Sequence, residues 1–128
     1  MKKLIFMLCI IIATLHPIAA LSDEYDKEWS PGDTIITASI CKSEEIILEI
    51  ARNDTISEEA ALNTIKAFTL AEDCLTILPP IPFYVHSIVV DYKDFKKRPS
   101  VVLALRMIGD KYQNIVGYAL AAGRLGSI

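Results

Sequence analysis

Histidine, cysteine and glycine are all scarce in this chain. Its 128 residues include two histidines, three cysteines and five glycines. His16 and Cys9 both fall in an N-terminal apolar segment, which leaves His86, Cys41 and Cys74 for the body of the protein. Two cysteines and one histidine make a poor zinc set, so no metal is expected. No glycine-rich loop offers a phosphate cradle, and no cofactor is expected. A surplus of positive charge is also lacking. Without Lys2 and Lys3, eleven basic residues face sixteen acidic ones, a net charge of −5. Phosphate backbones need clustered Lys and Arg, so general nucleic-acid binding is excluded. The chain is too short for a two-domain enzyme or a long repeat array, and no internal repeat is present.

The N-terminus has three parts. Lys2 and Lys3 are followed by the apolar run Leu4 to Ile12, then by Ala13 to Ala20 with Pro17 and small residues at its end. This is the pattern of a secretory signal peptide over residues 1–20. The apolar run before His16 spans twelve residues, against about 20 for a membrane-spanning helix. An uncleaved anchor is the rival reading. With the signal removed, no membrane span remains, and the mature protein is expected to be periplasmic or secreted.

An even pair of cysteines in an exported domain reads as one disulfide, Cys41–Cys74. Residues 21–33 are acidic and aperiodic, a solvated lead-in ending in the turn signal Ser30-Pro31-Gly32-Asp33. Tyr25 and Trp29 are unusual there. They serve either as an aromatic arm for a partner or, for Trp29, as a side chain folded back on its own domain. Residues 34–128 read as a single small α+β domain. Thr34 to Ile40 is β-branched and fits an edge strand or the approach to a helix.

Helical spacing begins after Ser43, a suitable N-cap with Glu44 and Glu45 behind it, and closes at Arg52 before Asn53-Asp54. A second helix is capped by Thr55 or Ser57 and runs into Cys74. The short link implies an antiparallel helical hairpin, whose adjoining ends carry the two cysteines. Pro79-Pro80-Ile81-Pro82 reads as an extended connector. Three strands follow: Phe83 to Tyr92, Ser100 to Ile108 and Asn114 to Ala122, with Gly123 to Ile128 as a frayed tail. The expected fold is α+β, a disulfide-closed helical hairpin packed on a three-stranded antiparallel β-meander. Two helices cover one sheet face. Thr34 to Ile40 or a partner chain, a homodimer mate included, must cover the other.

No Ser-His-Asp set can be assembled, and no catalytic residue is assigned. Charge is concentrated in Lys93-Asp94-Phe95-Lys96-Lys97-Arg98, four basic groups and a phenyl ring between two strands. Lys93, Phe95, Lys96, Lys97 and Arg98, with Tyr25 and Trp29, are the candidate partner-binding residues. The competing reading of the loop is a solvated hairpin whose lysines discourage edge pairing. The chain is therefore expected to be a non-catalytic binding, inhibitory or accessory domain, its partner a protein or an envelope component. A small exported hydrolase with His86 as base is the alternative, and a membrane-tethered accessory protein is a third. Sequencing the mature N-terminus tests the export signal: the expected product of cleavage after Ala20 begins at Leu21, and a chain beginning at Met1 in the membrane fraction would refute it.

Overall fold

The computed structural model describes residues 25–126, so the expected signal and the first part of the acidic lead-in lie outside the described residues. In chain order the elements are β1 (Glu28–Trp29), β2 (Thr34–Cys41), α1 (Glu44–Asp54), α2 (Glu58–Leu70), β3 (Cys74–Lys93), β4 (Pro99–Arg106), β5 (Ile115–Ala122) and β6 (Arg124–Leu125). Among the described residues the fold is mixed α+β, with two helices and an antiparallel four-stranded sheet.

Both helices begin on serine. The Ser43 Oγ accepts a hydrogen bond from the Ile46 N–H and the Ser57 Oγ one from the Ala60 N–H, which settles the second cap on Ser57. Thr55 instead ends α1, its N–H donating to Ala51. The second helix does not reach Cys74. It closes in a Schellman arrangement: Glu72 takes the left-handed conformation, its N–H donates to the Thr69 carbonyl, and the Asp73 N–H donates to the Phe68 carbonyl at 2.8 Å. Three residues of turn therefore separate the helix from β3.

Both cysteines consequently sit on strands. Cys41 ends β2, Cys74 opens β3, and they are direct cross-strand partners joined by a disulfide. The bridge fastens the chain where it enters and leaves the helical pair, and a Lys42–Asp73 ion pair of 2.7 Å lies beside it. Thr34 to Ile40 is a strand, paired with β3 along its length. The prolines are not a connector. They lie within β3, where Ile77 to Pro80 bulge out opposite the single residue Ala38. Pro79 and Pro80 have no N–H to donate, and a bulge is where a strand tolerates that loss.

The strands β3, β4 and β5 pair in sequence, and β2 adds to β3, making four strands where three were expected. The fourth strand answers the question of the second apolar face. The sheet curls until β2 meets β5 at one residue pair, Cys41 with Tyr118, and closes a small barrel. Inside lie Phe83, Val85, Val101, Leu103, Leu105 and Ala119. Outside, Val102 and the disulfide pack beneath Ile47, Ile50 and Ala51 of α1. Strict alternation along β3 fails at two bulges, between Val85 and Ser87 and between Ile88 and Val90. Each shifts the side-chain parity, so Ile88 joins Phe83 and Val85 inside, while Val89 and Tyr92 face the helices.

Trp29 plugs the barrel. Its side chain is 7% exposed, packs with the interior cluster, and donates from Nε1 to the Ala122 carbonyl at 2.7 Å. The segment after β5 is held as well. Glu28–Trp29 pairs in parallel with Arg124–Leu125, so the expected frayed tail is in its first residues a short strand. Gly123 makes this possible: a Cβ there would sit 2.6 Å from the Lys27 carbonyl and 2.7 Å from the Trp29 Nε1.

The 33-residue separation of the cysteines corresponds to a stabilisation of about 3–4 kcal/mol in the chain-entropy model. Cys41→Ala should lower the unfolding free energy by about that amount in denaturant titration. A reductant should destabilise the parent protein and leave the variant unchanged.

Candidate functional site

The loop between β3 and β4 is built around one carboxylate. Asp94 is only 4% exposed. Its Oδ1 accepts from the backbone N–H groups of Lys96 and Arg98, each at 2.9 Å, and its Oδ2 accepts from Arg98 Nε at 2.8 Å. Its own carbonyl receives the Lys97 N–H, with Lys97 in the left-handed region at φ 64°. A short polar side chain bonding the backbone two residues on is how aspartate organises turns. Burial pushes the Asp94 carboxyl up. The Arg98 N–H and guanidinium, the Lys96 N–H and the Arg98 charge outweigh burial and hold it below the usual carboxylate range.

The loop also docks on a helix end. Phe95 donates its N–H to the carbonyl of Asp54, the last residue of α1, at 2.9 Å. Tyr92 donates its hydroxyl to the Asp54 carboxylate at 2.6 Å. Burial, with this bond and the Asp54 charge, raises the Tyr92 phenol well above its ordinary value, so it stays a donor. A carboxylate at a helix C-terminus is disfavoured by the helix dipole, and these two donors offset that.

Between the loop, the end of α1 and the end of β5 lies a cleft of about 440 Å³. Tyr25, Phe95, Lys96 and Arg98 line it, together with Asp54, Tyr92 and Asp94. Four sequence candidates, one of them 68 residues before the start of the loop, thus share one wall system. The Arg98 guanidinium stands 4.8 Å from the Tyr25 ring centre and 5.7 Å from that of Phe95, both cation–π distances. Lys93, which ends β3 opposite Pro99, and Lys97 do not line this cleft. Trp29 does not either, because it fills the barrel mouth.

The loop differs from the solvated tip expected from its charges. Arg98 is committed to buried Asp94, so Lys93, Lys96 and Lys97 carry its outward charge. The cleft sets Lys96 and Arg98 among three carboxylates, Asp54, Glu58 and Asp94, beside the rings of Tyr25 and Phe95. Sequence reasoning missed Asp54 and Glu58, which nothing local links to the loop, and Tyr92, which directly precedes it. Asp94 could have been found from its place at the head of a turn.

His86 sits in the first β3 bulge, its Nδ1 3.1 Å from the Ser87 Oγ, and neither residue lines this cleft. Among the described residues there is no group of three or more His, Cys, Asp or Glu able to hold a metal, and no helix long and apolar enough to cross a membrane. No protein-family model, curated protein or solved structure matches the chain.

The Asp94 arrangement predicts a pH dependence. Its folded-state pKa is depressed, so its contribution is complete above the unfolded value near pH 4 and is lost as pH falls through the folded value. Asp94→Ala should cost on the order of 2–3 kcal/mol at neutral pH through lost charge-assisted bonds. Acid titration of stability should show the parent and variant converging below about pH 4.

Proposed function

We propose that this chain is a small, exported, non-catalytic binding domain that uses the Lys93–Arg98 loop and its cleft to contact a protein or envelope component outside the cytoplasm. One observation carries the reading: Tyr25, Phe95, Lys96 and Arg98 surround a single cleft on a loop made rigid by Asp94. A rigid loop on a braced scaffold is a common location for binding groups. The disulfide is compatible with an oxidising compartment. The architecture, read as a disulfide-closed helical hairpin laid on a meander with a fourth strand, serves as that scaffold. In this reading residues 1–20 are removed on export.

Arg98 is a poor probe, because its removal strips buried Asp94 of its partner. Lys96→Ser with Lys97→Ser touches neither the core nor the Asp94 contacts made through the backbone N–H of Lys96. The double variant should keep the parent's stability within about 0.5 kcal/mol. Against a partner recovered from an envelope extract it should show a slower on-rate and a flatter salt dependence. An unchanged on-rate across low and high salt would remove the loop from the interface.

A further inference from the structure

The barrel is closed at one point and open beyond it, and hydrogen-bond parity shows which groups are left over. Val85 donates its N–H to the Asp33 carbonyl, and its carbonyl accepts from Gly32. The Asp33 carbonyl therefore faces β3, while its N–H turns back to the Ser30 carbonyl, and alternation from that carbonyl points the N–H and C=O groups of Ile35 and Thr37 towards β3. Thr34 and Ile36 then direct their N–H and C=O groups away from β3. Pro82, opposite Ile36, fits this, since it has no N–H to offer.

The same reasoning applies to β5. Gly123 donates its N–H to the Pro99 carbonyl, so Ala121 and Ala119 bond β4, while Leu120 and Ala122 turn their groups away from it. Among the described residues β2 and β5 share only the Cys41–Tyr118 pair. Ser39, next along β2, has its N–H and C=O engaged by the Thr37 hydroxyl. The Ala122 carbonyl is taken by Trp29. Among the described residues no strand is paired with Thr34, Ile36, Leu120 or Ala122 on the side turned away from β3 and β4.

These two edges flank a groove of about 440 Å³ lined by Thr34 to Thr37 on one side and Leu120 to Ala122 on the other, with Trp29 and Lys27 at its mouth. It is separate from the loop cleft except for the shared β5 residues. An open strand edge is a template for another strand. Here two edges face each other across a slot, so one inserted segment can bond both.

We infer that this seam is a docking slot for a short extended peptide of a partner protein, bound by strand addition and carrying an acidic residue at the end nearest Lys27. Charge supports the acidic end: Lys27, held 4.5 Å over the Trp29 ring, is the one charged group lining the groove among the described residues. Shape favours a peptide over a second copy of the chain. In a second copy the matching β2 edge is itself recessed against β5, whereas a free segment can enter from the side.

The test begins with amide hydrogen exchange on the parent protein, followed by titration with a positional-scanning library of free peptides of about six residues, each ending in Asp or Glu. The amides of Thr34, Ile36, Leu120 and Ala122 should exchange freely in the unbound protein and become protected with peptide. Ile36→Pro removes one groove-facing donor at a position that bonds nothing on β3, so its fold should persist. It should weaken binding about tenfold, as should N-methylation of the central peptide amides. Four results would overturn the inference: edge amides already protected in the unbound protein, no library member bound at about 1 mM, binding indifferent to both Ile36→Pro and N-methylation, or protection that rises with protein concentration alone. The last would assign the slot to a second copy. The loop proposal is untouched by all four, because Lys96 and Lys97 take no part in the seam.

Discussion

Residues Val101 to Leu105 of β4 must be shielded from water on both sides, and the rest of the molecule follows from that requirement. All five are 1% exposed or less. A helical pair can cover only one face of a sheet. The chain meets the second demand by adding β2 and curling the sheet on itself, so that one face becomes the inside of a barrel. The two bulges of β3 supply the curvature and reassign its side chains between interior and helix layer. Trp29 then fills the end that four strands leave open.

The same curling accounts for both recessed surfaces. A four-stranded barrel has little room to close. Ladder pairing between β2 and β5 is confined to Cys41 and Tyr118 among the described residues, leaving a seam with two strand edges. At the strand ends joined by the β3–β4 connection, the loop is brought against the end of α1, where Asp54 receives both Tyr92 and Phe95. The loop cleft and the seam border the same stretch of β5, Leu120 to Ala122, from its two sides.

Electrostatics within the loop illustrates how a charge count misleads. Four cations and one acid over six residues suggest a positive, solvated tip. The acid is the least exposed member of the group and dictates the backbone around it. One cation is held inward by that acid and stacked beside two aromatic rings, and the remaining lysines set the outward charge.

Much was legible in the linear chain wherever the signal was local or of a single period. The helix start at Ser43, the three long strands and the cysteine pairing all follow from short-range chemistry: capping, alternation and an even number of thiols in the body of the chain. Tertiary structure alone decided three things. It made Thr34–Cys41 a fourth strand, because a short β-branched run acquires its identity only from the edge it pairs with. It turned the proline segment into a bulge and the C-terminal residues into a strand, since the partners of each lie more than 30 residues away in sequence. And it joined Tyr25 to the basic loop, because a cleft is a meeting of surfaces, and no spacing along the chain records which surfaces a curled sheet will bring together.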